Sequence, residues 1–345
     1  MAQITIVALG HPLLDIHADV SDNFLKKFKV EPNNAILIGP EQQDLQEELL
    51  NGDHDLTFVA GGAAMNTVRM LQWLVNDPRK LQCYYLGSVG RDAGAKCLRE
   101  LMEESGVITH FQVQEDSPTG ICMALVNGCN RSLVTSLGAA ADFTPEFLME
   151  KKSWKMVESA KICYLNGYFV GISMNSVEIL LKHIKSTNKV LCFNLASPFV
   201  SRLHFKKIDA VIPYADFVFG TRDEAQAFAE AKNLDDNTAV GTAKYFASLP
   251  RVLGSIRTRW IVFTNGPGSI MTISSKDLKI RNFTVDPLPS DEFVDTNGAG
   301  DGFAAGFLAS YLVEKDLDKA IQSGKKAAAY IIRRSGFSLD DRYDF

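Results

Sequence analysis

The chain has 345 residues, 46% hydrophobic and 22% charged, a composition that excludes a disordered or fibrous protein and allows a large buried core. Its formal net charge of −5 argues against broad affinity for nucleic acid or an anionic membrane, although a phosphate site needs only local cations. The six cysteines, Cys83, Cys97, Cys122, Cys129, Cys163 and Cys192, show no Cys-x-x-Cys or other metal spacing, and several sit in apolar runs as small hydrophobes. No disulfide staples are needed at this size, no apolar run is long enough to span a bilayer, and the N-terminus lacks a basic signal region. A cytoplasmic location is therefore expected, with the nucleus left open, and no nucleic-acid or membrane partner.

In chain order, Ile4–Leu9 reads as a buried strand ended by Gly10. Strand alternation follows at Leu13–Val20, Ala35–Gly39 and Leu56–Val59. A helix is expected from Gly61-Gly62 to about Val75, then a strand at Cys83–Gly87 and a helix at Ala93–Glu104. A second β-rich group comprises His110–Gln114, Ile121–Asn127 and Ser132–Leu137. From about residue 142 strands and helices alternate. The strands are Ile162–Asn166, Val190–Leu195, Phe217–Gly220 and Trp260–Thr264, and one intervening helix carries Val177, Leu180, Leu181 and Ile184 on a single face. Ile270–Ile273 and Lys279–Val285 suggest a late antiparallel ribbon, and helices at Ala299–Leu312 and Leu317–Arg333 close the chain. This order predicts an α/β fold with a doubly wound, mostly parallel sheet covered by helices on both faces. Residues 1–12, 61–109 and 140–345 are expected to form the core, and residues 13–60 and 110–139 a small β-rich lid over a cleft.

The strongest chemical signal is Asp295-Thr296-Asn297-Gly298-Ala299-Gly300-Asp301-Gly302-Phe303. Three small residues before an apolar helix let unpaired N–H groups converge where the helix dipole is positive, which makes an anion site. A carboxylate beside bound phosphate is unfavourable unless it has a proton to take. Transfer of a phosphoryl group to an alcohol supplies that proton, so Asp301 is the candidate base and the 298–300 backbone the candidate anion hole.

This segment resembles the C-terminal signature of the ribokinase-type carbohydrate and nucleoside kinases. Ala60-Gly61-Gly62-Ala63-Ala64-Met65-Asn66 resembles that family's second signature, a glycine pair opening a helix with an asparagine soon after. Gly10-His11-Pro12-Leu13-Leu14-Asp15, Pro118-Thr119-Gly120-Ile121-Cys122, Asn130-Arg131-Ser132, Asn194-Leu195-Ala196-Ser197-Pro198-Phe199 and Ile331-Ile332-Arg333-Arg334-Ser335-Gly336 resemble its adenosine-phosphorylating branch, so the likeness spans nearly the whole chain.

The resemblance implies a ribokinase-like fold and phosphorylation of the ribose 5′-hydroxyl of adenosine by ATP with Mg²⁺. It leaves a monovalent cation requirement open, and a monomer is expected. Asp15, Gly61, Gly62 and Asn66 would grip the ribose, with His11 beside them where the family has Asn. Leu13, Leu37, Cys122, Leu133, Tyr168 and Phe199 would line an apolar slot for the base. Arg131 would swing over the phosphates, and Asn194, Thr264, Asn265, Gly266 and Asn297 would serve the nucleotide. Glu224 would organise water around Mg²⁺, with Asp223 as a second candidate. Thr221 stands where the family has the Asn of Asn-x-x-Glu, so an altered Mg²⁺ dependence is expected; Gly302 in place of Ala is expected to loosen the helix start. The alternatives are a kinase for another nucleoside or a sugar, and a purine-binding regulatory protein with impaired turnover.

Overall fold

A computed structural model describes residues 3–32, 34–128, 130–252 and 257–339; Cys129 lies outside the described residues. The strands in chain order are β1 (Ile4–Leu9), β2 (Leu13–Asp19), β3 (Ala35–Leu37), β4 (Leu56–Gly61), β5 (Leu81–Gly90), β6 (Ile108–Gln114) and β7 (Ile121–Asn127). They continue as β8 (Asn130–Ser136), β9 (Ile162–Asn166), β10 (Val190–Asn194), β11 (Phe217–Thr221), β12 (Trp260–Thr264), β13 (Ile270–Ser274) and β14 (Arg281–Phe283). Nine form one sheet in the order β14-β13-β12-β11-β10-β9-β1-β5-β6, and five a smaller one in the order β3-β8-β7-β2-β4. The large sheet is parallel from β12 to β6, and the antiparallel ribbon β13–β14 extends its far edge.

Two hydrophobic clusters, one on each side of this sheet, explain why its central strands are apolar along their whole length rather than alternating. The small sheet takes β2 and β4 from the first insertion and β7 and β8 from the second, and pairs β2 parallel to β7. One expected member is not there. His110–Gln114 belongs to β6, which pairs with β5 at the edge of the large sheet. Its alternation announced a strand correctly, but alternation does not say which sheet a strand joins.

Three helices support the cleft. Ala63–Val75 starts at Gly62, whose φ of 94° and whose approach to the His11 carbonyl leave no room for a side chain. Ala299–Glu314 packs against both Ala63–Val75 and Leu317–Ile332. Gly302 sits where these three helices meet. A β-carbon at Gly302 would stand 3.0 Å from Ile331 Cγ1 and 3.3 Å from Met70 Sδ, so the missing methyl lets three helices meet closely. Two short helices in the first insertion, Asp22–Lys27 and Leu45–Asn51, were not anticipated, their few buried apolar residues making too little periodic pattern.

Candidate active site

The carboxyl ends of β10, β11 and β12 open onto a cleft of about 510 Å³, where ligands of open α/β sheets sit. Asn194, Thr221, Glu224 and Thr264 line it from the strand side, Arg131 and Leu133 from the small sheet, and Asn297, Gly298, Gly300 and Asp301 from the helix side. Residues as far apart as Arg131 and Asp301 thus meet because two sheets and one helix N-terminus share this opening.

Asp301 sits in the first turn of Ala299–Glu314, buried, and its Oδ2 accepts a hydrogen bond from Asn66 Nδ2 at 3.1 Å. Burial raises its pKa to about 8; the Asn66 bond opposes this, while the charges of Glu224 and Asp15 add to it. The carboxyl is thus poised to exchange a proton near neutral pH, as a general base requires. Gly298 caps the helix at φ 75°. The turn spends the Ala299 N–H on the Thr296 carbonyl at 3.1 Å, and Ala299 does not line the cleft. Gly300 and Asp301 donate to no backbone carbonyl among the described residues. The free donors are therefore those of Gly300 and Asp301, a different set from the 298–300 backbone that the sequence suggested.

Asp15, not among the residues lining the cleft, is buried on β2 with its carboxyl lying over Gly61, where a β-carbon would overlap it. Burial raises Asp15 to a pKa of about 7, with Arg131 and Arg69 pulling it down. Cys122 pairs with Asp15 across β2–β7 and is buried, its thiol pushed up to about 12 mainly by desolvation. His11 is buried with its ring 5.8 Å from Phe169; burial lowers its pKa to about 4, so it is neutral, and Nε2 has no hydrogen-bond partner among the described residues. Leu13 packs against Gly120. Tyr168 and Phe199 lie with ring centroids 6.1 Å apart, and Phe199 and Leu37 are 45% and 53% exposed, apolar surface left uncovered.

Thr221 has a role that the sequence reading did not name. It caps the helix Arg222–Lys232 through a reciprocal box: Thr221 Oγ1 accepts from the Glu224 N–H at 3.2 Å, and Glu224 Oε2 accepts from the Thr221 N–H at 2.9 Å. The threonine thus fixes Glu224, which is buried with a pKa raised to about 7 by desolvation. Asp223 is exposed and outside the cleft lining. Among the described residues no three His, Cys, Asp or Glu side chains group as a metal cage. Asn265 and Gly266 form the exposed turn joining β12 to β13, closed by the Gly268 N–H on the Asn265 carbonyl at 2.7 Å. Of that loop, Thr264 reaches the cleft lining.

Other lining residues were not anticipated: Phe293 and Val294, apolar and more than half exposed, and Ala196, which holds a φ of 82°. The Asn-Leu-Ala-Ser-Pro-Phe motif marked the neighbourhood of Ala196, but no residue type announces an alanine in that conformation.

The fold and this site define a phosphotransferase of the ribokinase kind, and the chain belongs to the pfkB family of carbohydrate kinases, whose profile matches residues 34–342. It is 37% identical to an adenosine kinase of Saccharomyces cerevisiae over 96% of this chain and 95% of that one. It is 33% identical to adenosine kinase 2 of Arabidopsis thaliana, over 99% and 97%. The adenosine kinase of Schistosoma mansoni in complex with 2-fluoroadenosine superposes with a TM-score of 0.90 at 36% identity, covering 97% of each chain. No helix among the described residues is long and apolar enough to cross a membrane.

Proposed function

We propose that the chain transfers the γ-phosphoryl group of ATP to the ribose 5′-hydroxyl of adenosine, giving AMP and ADP. The observation that carries this reading is Asp301, a buried carboxyl with a raised pKa beside the Gly298–Gly300 turn at the mouth of the cleft. Asp301 takes the hydroxyl proton as the new O–P bond forms and the bond to the β-phosphate oxygen breaks. The N–H groups of the turn stabilise charge on the moving phosphoryl oxygens. Asp15 and Asn66 hold the ribose, whose vicinal hydroxyls match a carboxylate and an amide. The apolar surface of Leu133, Tyr168, Phe199 and Leu37 suits a flat base better than a bare sugar. The small sheet acts as the lid that excludes water from the transfer.

Glu224, one buried carboxylate whose Oε2 accepts from the Thr221 N–H, fits a magnesium ion carried in on nucleotide phosphates. Bound there, the ion would neutralise phosphate charge. Glu224 would help hold the ion there, and Thr221 fixes Glu224 through the capping box.

The test is an ADP-release assay with ATP, Mg²⁺ and adenosine, run beside inosine, ribose and a blank without acceptor. ADP formed with adenosine, matched by AMP, is the expected result. Equal turnover of ribose would remove the nucleoside assignment, and adenosine binding without ADP would leave a purine-binding protein.

The ribose grip makes a separate prediction. In Gly61→Ala the new methyl would overlap the Asp15 carboxyl, so Asp15 must rotate away from the sugar. The expected result is a rise of about 10- to 100-fold in the KM for adenosine, the loss of a charged hydrogen-bonding group, with the KM for ATP little changed. An unaltered adenosine KM would take Asp15 out of the grip.

A further inference from the structure

Arg131 stands on β8, and its guanidinium is held from two sides. Nη1 is ion-paired with Asp295 Oδ2, and Nη2 lies 3.0 Å from His17 Nε2. The Arg131 and Asp295 side chains are only 13% and 9% exposed, so this is not a solvated surface pair of little consequence. His17 lies on β2, two positions from Asp15 and on the same face of the strand, with β7 between it and β8.

Asp295 belongs to the other half of the molecule. Its Oδ1 accepts from the Asn297 N–H at 2.9 Å, at the start of the anion-site turn. Its Oδ2 also accepts from the Gly336 N–H at 3.2 Å. Gly336, at φ 71°, packs so closely on the His17 ring that a β-carbon there would overlap it. One arginine thus joins the small sheet, the anion-site turn and the C-terminal segment. A guanidinium can only donate, so Nε2 of His17 must present its lone pair and the ring must be neutral with its proton on Nδ1. Burial and the Arg131 charge keep it so, holding His17 to a pKa of about 4.

We infer that His17 and Asp295 form a two-sided dock for the Arg131 guanidinium, with His17 a positioning residue that sets where this arginine stands over the cleft during phosphoryl transfer. The inference rests on the reaction proposed above. An arginine side chain explores many rotamers, and aiming it at phosphate oxygens costs ordering entropy each time the cleft closes. A fixed acceptor on β2 meets that cost in the fold. Since Asp295 also orients the Asn297 N–H, the same dock ties the position of the small sheet to the shape of the anion site. His17 touches neither substrate in this scheme and acts through Arg131.

The test uses His17→Ala, His17→Gln, Arg131→Ala and the double variant His17→Ala/Arg131→Ala in the full chain, with kcat and both KM values. Loss of one hydrogen bond to a charged group predicts a kcat about tenfold lower in His17→Ala, with the adenosine KM within about twofold. His17→Gln, whose amide oxygen can accept near the place of Nε2, is expected to recover most of that loss. In the Arg131→Ala background, His17→Ala should add nothing further. Unchanged kcat in His17→Ala overturns the dock. So do equal losses in the Ala and Gln variants, or losses that multiply with Arg131→Ala, since those mark packing against Gly336. A wild-type chain that makes no AMP would instead sink the proposed reaction, and is read before any variant.

Discussion

Asp301→Asn is expected to lower kcat by roughly 10²–10⁴-fold while adenosine binding stays within about twofold. The amide keeps an oxygen for Asn66 Nδ2 and nearly the same volume, so the cleft is unchanged except for its base. Burial sets the Asp301 pKa at about 8, with the Glu224 and Asp15 charges acting in the same direction. In the wild type, kcat/KM should therefore rise about tenfold per pH unit below that value and level off above it, since the free enzyme must present the ionised carboxylate. The same shift has a consequence for stability, opposite in sign to the usual carboxylate case. A folded-state pKa above the unfolded value near 3.8 means that the fold favours the protonated form. That contribution is fully present below the unfolded pKa and is lost as pH rises through about 8. Asp301→Asn removes the titration, so the ligand-free variant should melt at a higher temperature than the wild type in alkaline buffer, and the difference should shrink towards acid. Thermal melts across the range check this independently of turnover. Turnover within tenfold of the wild type would send the proton elsewhere.

How much of this was legible beforehand depended on whether a feature was local. The run Ile4–Leu9 and the strand Trp260–Thr264 announce themselves because strands buried on both faces are apolar throughout. Asp301 was legible because glycine before a helix and a carboxylate in its first turn have few other joint uses. The membership of β6 was not, since pairing with β5 is settled by how the intervening helix Ala93–Glu104 crosses over, not by the strand's own side chains. Thr221 is a different kind of miss. Thr-x-x-Glu before a helix is itself a capping signal, so the physical role of Thr221 was present in the sequence and was passed over in favour of the missing amide. The Arg131–Asp295 contact joins positions 164 residues apart, and His17 meets Arg131 across 114. Nothing in either local sequence marks the encounter. Contacts of that second kind bring Arg131 to Asp295 and His17, which explains why Asp301 and its helix were readable while the groups that hold Arg131 were not.

Gly298→Ala tests the anion site without touching a titrating group. Gly298 holds a φ of 75°, which costs an alanine about 1–2 kcal/mol. Its new β-carbon would also overlap the ring of Phe337, which is buried and has little room to yield. Relief requires the turn to swing, and with it the Gly300 and Asp301 N–H groups that the proposed transfer uses. Mis-aimed donors stabilise the transition state poorly while leaving the ribose grip on the other side intact. The expected loss is therefore about 10²–10³-fold in kcat, with the adenosine KM nearly unchanged. Gly300→Ala provides the comparison for strain, because a β-carbon there would meet no atom within 4 Å. Gly298→Ala should lower the melting temperature and Gly300→Ala should not. Combined with Asp301→Asn, the Gly298→Ala loss should fall short of the product of the two single losses, since base and donors serve one transition state. Losses that multiply in full would mean that the turn acts on a step other than the proton-coupled transfer, nucleotide binding being the first to measure.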